Sequence, residues 1–315
     1  MRYKKLFFLL TIMAVICTLL YVLYGLNPNS YRFALSRRIP NVMAIIMTGT
    51  AIAISTVMFQ TLTNNRILTP SVLGLDSLYI LLQTIVVFVF GSSRFGVIGT
   101  ESNFLISGIL MVIFSMLLFK VMFKENQNLL FLIMVGMIFG TLFSSISSFL
   151  QMIIDPNEFL LIQNRMYASF DNVQSSLLRI SIVVTVLSLI WCRKELKQLD
   201  ILALGRDHAI NLGVNYGKVV PKLLVVVSIL VSASTALIGP VTFLGLLVSN
   251  LAHQILKDYR HKILIPGTIL ISIIALVGGQ LMVERVFSFS TTIGVVINFV
   301  GGVYFIYILL REDRL

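Results

Sequence analysis

Apolar runs of about 20 residues recur from one end of this 315-residue chain to the other, and a run of about that length is what an α-helix needs to cross the ~30 Å hydrocarbon core of a bilayer. Few folds are open to such a chain. In lipid every backbone N–H and C=O must be paired inside the protein, which leaves helix bundles and closed barrels. The runs are continuous, as in Leu6 to Leu26, and lack the alternating apolar and polar period of barrel strands. The fold class is therefore all-α, a polytopic membrane protein. Composition agrees, with 57% hydrophobic and 12% charged residues, far from a soluble domain.

The pattern predicts about ten spans, near 7–26, 41–61, 71–90, 104–119, 129–153, 175–192, 219–238, 242–256, 265–283 and 292–310. The longest segment between them, about 193–218, is too short for a domain of ordinary size. Residues 1–315 are thus expected to form one transmembrane domain. The net charge of +11 does not point to nucleic acid, because the basic residues are scattered between apolar runs. Most of the 24 Lys and Arg fall in segments on the same side as the N-terminus, including Lys124, Arg193, Lys222, Arg260 and Arg314. By the positive-inside bias both termini are expected in the cytoplasm, with lipid as the surrounding partner. The first apolar stretch is too long for a signal peptide and no small-residue cleavage site follows it.

Several kinds of machinery are missing. No G-x-x-x-x-G-K-[ST] occurs, since Gly217-Lys218 lacks both the upstream glycine and the following hydroxyl residue, so the chain binds no ATP by a P-loop. His208, His253 and His261 lack partners at metal-ligand spacing, and neither a metal nor another cofactor is expected. No nucleophile and base arrangement is legible. Cys17 and Cys192 are expected to be inert apolar side chains. Asp76, Glu101, Asp155, Asp171 and Glu284 all fall near span ends or in loops. A transporter that couples to ions commonly holds an ionisable group inside a span, so ion coupling is disfavoured.

Small residues recur at four-residue spacing, as Gly49 with Ala53 and as a seam of Gly136, Gly140, Ser144 and Ser148. Such a stripe lets helices pack closely in lipid. Ser144 and Ser148 fit both that role and the lining of a polar path. A second feature is the polar segment 199–215, in which Leu202, Leu204, Ala209 and Leu212 allow short amphipathic helices and Gly205 and Gly213 allow turns. Periodicity alone leaves two readings open, docking onto a partner's groove or lying on the membrane surface.

The string Leu202-Ala203-Leu204-Gly205, with Ala209, Leu212 and Gly213 after it, resembles the coupling-helix signature of the ferric-siderophore and cobalamin ABC permease family, the FecCD type. The likeness extends over nearly the whole chain. Arg38-Ile39-Pro40 resembles that family's Arg-Leu-Pro-Arg, and Gln60 with Asn65 and Pro70 its Gln…Asn-Pro-Leu-Ala…Pro. Gly239-Pro240-Val241-Thr242-Phe243-Leu244-Gly245-Leu246 resembles its Gly-x-Ile-x-Phe-x-Gly-Leu, and Ile293-Gly294-Val295-Val296 its closing run.

The resemblance implies a type II ABC importer permease that hydrolyses no ATP itself. Its implied partners are a second permease subunit, two ATP-binding subunits and an extracytoplasmic substrate-binding protein. It also implies residue roles. Leu202, Leu204, Gly205, Ala209, Leu212 and Gly213 would couple to the ATPase. Asn65 and Ile67 would belong to a cytoplasmic gate. Arg37, Arg38 and Arg285 would grip the binding protein. Arg165, in the outer segment after the fifth span where relatives often have an aromatic residue, is by its charge a candidate for attracting an anionic chelate. The strings "NNRILTP" and "LGLDSLY" resemble a branch associated with catecholate siderophores, in which two non-identical permeases pair. An iron-siderophore complex is the expected cargo, with haem or cobalamin, or an ion-coupled mechanism, as alternatives. The chain departs from the family pattern at Asn41, Arg66, Ser249-Asn250 and Leu281.

Overall fold

The computed structural model describes residues 2–24, 31–122, 129–171 and 173–312, and among these all regular structure is helical. The long helices are α1 (Arg2–Leu23), α2 (Tyr31–Thr63), α3 (Leu75–Ile98), α4 (Thr100–Met122) and α5 (Leu129–Ile153). A short α6 (Pro156–Met166) precedes α7 (Ser175–Trp191), and two brief helices follow, α8 (Leu199–Leu202) and α9 (Arg206–Asn211). The chain closes with α10 (Tyr216–Ile238), α11 (Leu244–Leu256), α12 (His261–Arg285) and α13 (Ile293–Glu312).

Helices α1, α2, α4, α5, α10 and α12 are each long and apolar enough to cross a bilayer, and α7 passes the same test when taken together with Glu195–Leu202, which is bent by 57° from it. Three shorter apolar stretches, Leu75–Gly91 of α3, Leu244–Leu256 (α11) and Ile293–Tyr307 of α13, bring the number of apolar helices to the ten expected. Residues 25 and 26 of the first expected span, and the charges Lys124 and Arg314, lie outside the described residues.

Two elements differ from the sequence reading. Helix α2 starts at Tyr31 and runs through Pro40, although proline removes one backbone donor from the ladder. Helix α6 lies in what reads as a loop, and its start is well signalled. The Asp155 carboxylate accepts the Asn157 N–H at 2.8 Å, and Pro156 occupies the first turn, where a proline costs no helical bond.

The buried apolar side chains form two main cores. One gathers α3, α4, α10 and the segment 199–214, and the other gathers α1, α11, α12 and α13. Residues of α2 enter both, so this helix joins the two halves. After α2 the chain turns back into the bundle through a 3-10 turn, Pro70–Leu73, and α3 therefore begins inside the protein rather than at its edge. There the small-residue seam of α5 serves packing. Gly74 takes φ +79°, and a Cβ on it would lie 2.9 Å from the backbone of Gly140. Further along, the Ser144 hydroxyl meets Ser77 at 3.1 Å and Ser147 meets Thr84 at 2.9 Å. Ser148 lies on the exposed face of α5.

Candidate functional site

Helix α2 spans 33 residues, or about 50 Å at ~1.5 Å per residue, and the candidate residues gather at its two ends. At its C-terminal end sit the segment 199–215 and the loop 64–69. The segment divides by face. Leu199, Leu202, Ala209 and Val214 are buried in the first core, whereas Leu204 and Leu212 are 56% and 60% exposed and Ile210 is 47% exposed. Gly205 and Gly213 adopt φ +95° and +85°, a left-handed conformation that side chains with a Cβ resist. They reverse the chain on either side of α9, so the four inward residues anchor an outward apolar patch.

The loop 64–69 packs directly on that segment, with the Asn64 amide 3.4 Å from where a Cβ on Gly205 would stand. Asn65 Oδ1 accepts the Ile67 N–H at 2.9 Å, the side-chain turn typical of asparagine. The Arg66 carbonyl accepts from Gln60 Nε2 at 2.5 Å and from Asn250 Nδ2 at 3.4 Å. Two of the departures from the family pattern, Arg66 and Asn250, therefore touch each other.

A hydrogen-bonded relay centred on buried His261 ties this loop to the segment. The His261 ring places Nδ1 2.6 Å from Asp200 Oδ1 and Nε2 2.7 Å from Thr61 Oγ1, and its backbone N–H donates to Asp200 Oδ1 at 2.8 Å. Partial burial raises the Asp200 carboxyl pKa, but the His261 N–H and ring outweigh it and hold the group below its ordinary value. The relay borders a cavity of about 300 Å³ lined by Gln60, Asn65, Arg66, Ala203 and His253. Asp200 (α8), His261 (α12) and Thr61 (α2) lie on three elements far apart in sequence, and only the fold brings them together.

His261→Ala and Asp200→Asn should separate transport from ATP hydrolysis. Charge-assisted hydrogen bonds contribute about 1.5–3 kcal/mol each, so uptake per ATP hydrolysed in proteoliposomes should fall about tenfold while hydrolysis persists. Equal loss of both activities would mark the relay as purely structural.

The opposite end carries the arginines. Arg38 Nη1 donates to the Val22 and Tyr24 carbonyls, each at 2.9 Å. Arg285 Nη2 donates to Tyr24 O at 3.0 Å and lies 5.0 Å over the Tyr24 ring. Both thereby satisfy carbonyls at the C-terminus of α1, where cations are favoured. Arg37 is exposed and lies 5.9 Å from the Phe33 ring centroid. The three arginines line a cleft of about 500 Å³ with Asp171 and Glu284. Asp171 also borders a neighbouring cavity of about 530 Å³. In it Arg165, in the last turn of α6, donates to Gln83 Oε1 at 2.5 Å, beside buried Asn103, which donates to the same oxygen at 3.0 Å.

The profile of the FecCD transport family matches residues 5–311. The chain belongs to that family. It is 53% identical over 315 residues to the petrobactin import system permease protein YclO of Bacillus subtilis (strain 168), covering 100% of this chain and 99% of that one. It is 34% identical over 291 residues to the petrobactin import system permease protein FatC of Bacillus anthracis, covering 92% of this chain and 82% of that one. A solved metal-chelate type ABC transporter in an inward-facing conformation superposes with TM-score 0.84 at 22% identity, covering 98% and 99% of the two chains, which shows the shared fold. The chain is a multi-span permease of a bacterial ABC importer.

Proposed function

We propose that this permease forms half of the membrane path that carries the iron complex of petrobactin, a catecholate-type siderophore, into the cytoplasm. The observation that carries the reading is 53% identity to a petrobactin import permease along the entire chain. The second half of the path is a non-identical permease. In support, the B. subtilis and B. anthracis relatives each include a second petrobactin import permease, YclN at 25% and FatD at 28% identity. A pair of ATP-binding subunits docks on Leu204, Ile210 and Leu212, and both chain termini lie on that cytoplasmic side. An extracytoplasmic binding protein docks at the opposite end, where exposed Arg37 and the cleft with Arg38 and Arg285 offer guanidinium groups to partner carboxylates. Arg165 lines the adjoining cavity and attracts the anionic chelate, while Ser148 faces the path between the two permeases.

Cells lacking this chain should lose uptake of iron-55 ferric petrobactin at least tenfold while uptake of haem and cobalamin is unchanged. A defect confined to cobalamin would overturn the petrobactin reading and favour the vitamin B12 permeases, to which identity is 25%.

A further inference from the structure

Helix α12 ends at Arg285, and the turn that leads to α13 holds two consecutive non-glycine residues in the left-handed region, Ser288 at φ +46° and Phe289 at φ +62°. A Cβ crowds the backbone there, so residues other than glycine enter the region singly, and a bulky one is an outlier. Hydrogen bonds hold the turn in place all the same. The Phe289 N–H donates to Val283 O at 3.0 Å and the Ser290 N–H to Phe287 O at 2.9 Å. The Ser290 hydroxyl donates to the same Phe287 oxygen at 2.6 Å. None of these bonds needs a phenyl ring at position 289, since glycine would make them without strain. Nor does a core need it, because Phe289 is 58% exposed. Strain that neither the turn nor the core explains is characteristic of ligand clamps.

The position of the ring supplies its reason. Phe289 lines both the arginine cleft of about 500 Å³ and the Arg165 cavity of about 530 Å³, and Asp171 is the other residue common to the two walls. Each space is of a size that holds a small organic ligand. The Asp171 carboxylate is already engaged, with Oδ1 accepting from Gln280 Nε2 at 3.1 Å and Oδ2 from the Ser169 hydroxyl at 2.8 Å. The Phe289 ring, among the described residues, stacks on no other aromatic ring. Around the two spaces cations outnumber carboxylates, with Arg37, Arg38, Arg165 and Arg285 against Asp171 and Glu284. Guanidinium groups pair with oxyanions, and an open phenyl face takes a second ring by offset or edge contact. A ligand that is at once anionic and aromatic uses both, and a ferric catecholate is such a ligand.

We infer that Phe289 is a substrate-contacting, specificity-determining residue whose ring stacks on the catecholate rings of the ferric chelate as it passes between the arginine cleft and the Arg165 cavity. The inference rests on the siderophore reading above.

The test is uptake of iron-55 ferric petrobactin, below saturation, by proteoliposomes that hold the complete importer with its binding protein supplied outside. Phe289→Gly relieves the strain, so its yield and apparent Tm should equal or exceed wild type, yet its uptake should fall at least tenfold. Phe289→Leu keeps apolar bulk without an aromatic face and should lose as much, whereas Phe289→Tyr should stay within twofold of wild type. Ser288→Gly relieves strain in the same turn without touching the ring, and its uptake should be unchanged. The affinity of the chelate-free binding protein for the importer should be the same in all four variants. Uptake by Phe289→Gly or Phe289→Leu within twofold of an active wild type would overturn the role of the ring. A loss of uptake matched by an equal loss of binding-protein affinity would overturn it as well and assign Phe289 to docking of that protein. Failure of the wild-type importer to carry ferric petrobactin would instead overturn the siderophore reading on which the inference rests.

Discussion

Leu204→Asp and Leu212→Asp are each expected to release the ATP-binding subunits and abolish uptake while leaving the permease folded. Both side chains are more than half exposed, so a charge there loses nothing in the permease's own core. In a partner's groove it would sit desolvated, and truncating a central interface anchor costs about 2–4 kcal/mol, which is about 30- to 1000-fold in affinity. Co-purification of the ATPase with the tagged permease measures the effect. Leu202→Asp is the contrast. Leu202 is 3% exposed and packed in the first core, so the same charge should lower permease yield itself. If the Leu204 and Leu212 variants keep the ATPase bound, the patch is a membrane-surface face and the docking assignment fails.

Gly74→Val should destabilise the permease by about 2–4 kcal/mol, from left-handed strain and overpacking together. Gly74 holds φ +79°, and its Cβ would strike the Gly140 backbone at 2.9 Å, where neither chain has a flexible side chain to give way. The effect should appear as a lower apparent Tm in detergent and as reduced yield. Gly140→Val should act in the same direction, because its Cβ already meets the Gly74 Cα at 3.3 Å. Gly108→Ala is the control, since nothing stands within 4 Å of its Cβ and glycine to alanine inside a helix gains about 0.5–1 kcal/mol. A Gly74→Val protein as stable as wild type would show that α3 and α5 can move apart freely.

The arginines at the opposite end cap α1, and that capping is compatible with the docking role proposed for them. Arg38 and Arg285 spend donors on the last carbonyls of α1 yet line the cleft with Arg37. A guanidinium has five N–H donors, so capping α1 leaves donors for a partner's carboxylate. The capping also fixes where those donors point, which a freely rotating arginine would not do.

Much of this protein was legible in one dimension. An apolar run in lipid must be helical whatever its neighbours, because lipid offers the backbone no other partner, and among the described residues each of the ten expected spans holds an apolar helix. Glycines that reverse a chain also read locally, as at Gly205 and Gly213. Even α6 carried its signal in Asp155-Pro156, a cap and a first-turn proline hidden in a stretch that otherwise looks like a loop. What depended on tertiary structure was depth and facing. Leu202 and Leu204 look alike in sequence, but one is core and the other surface, because that depends on where the second half of the segment packs. Asp76 stands beside a loop in sequence and deep in the bundle in space, because the 3-10 turn carries the chain back inward. Thr61, Asp200 and His261 carry no shared motif, since hydrogen bonds between three helices depend on how those helices cross and leave no period in any one of them.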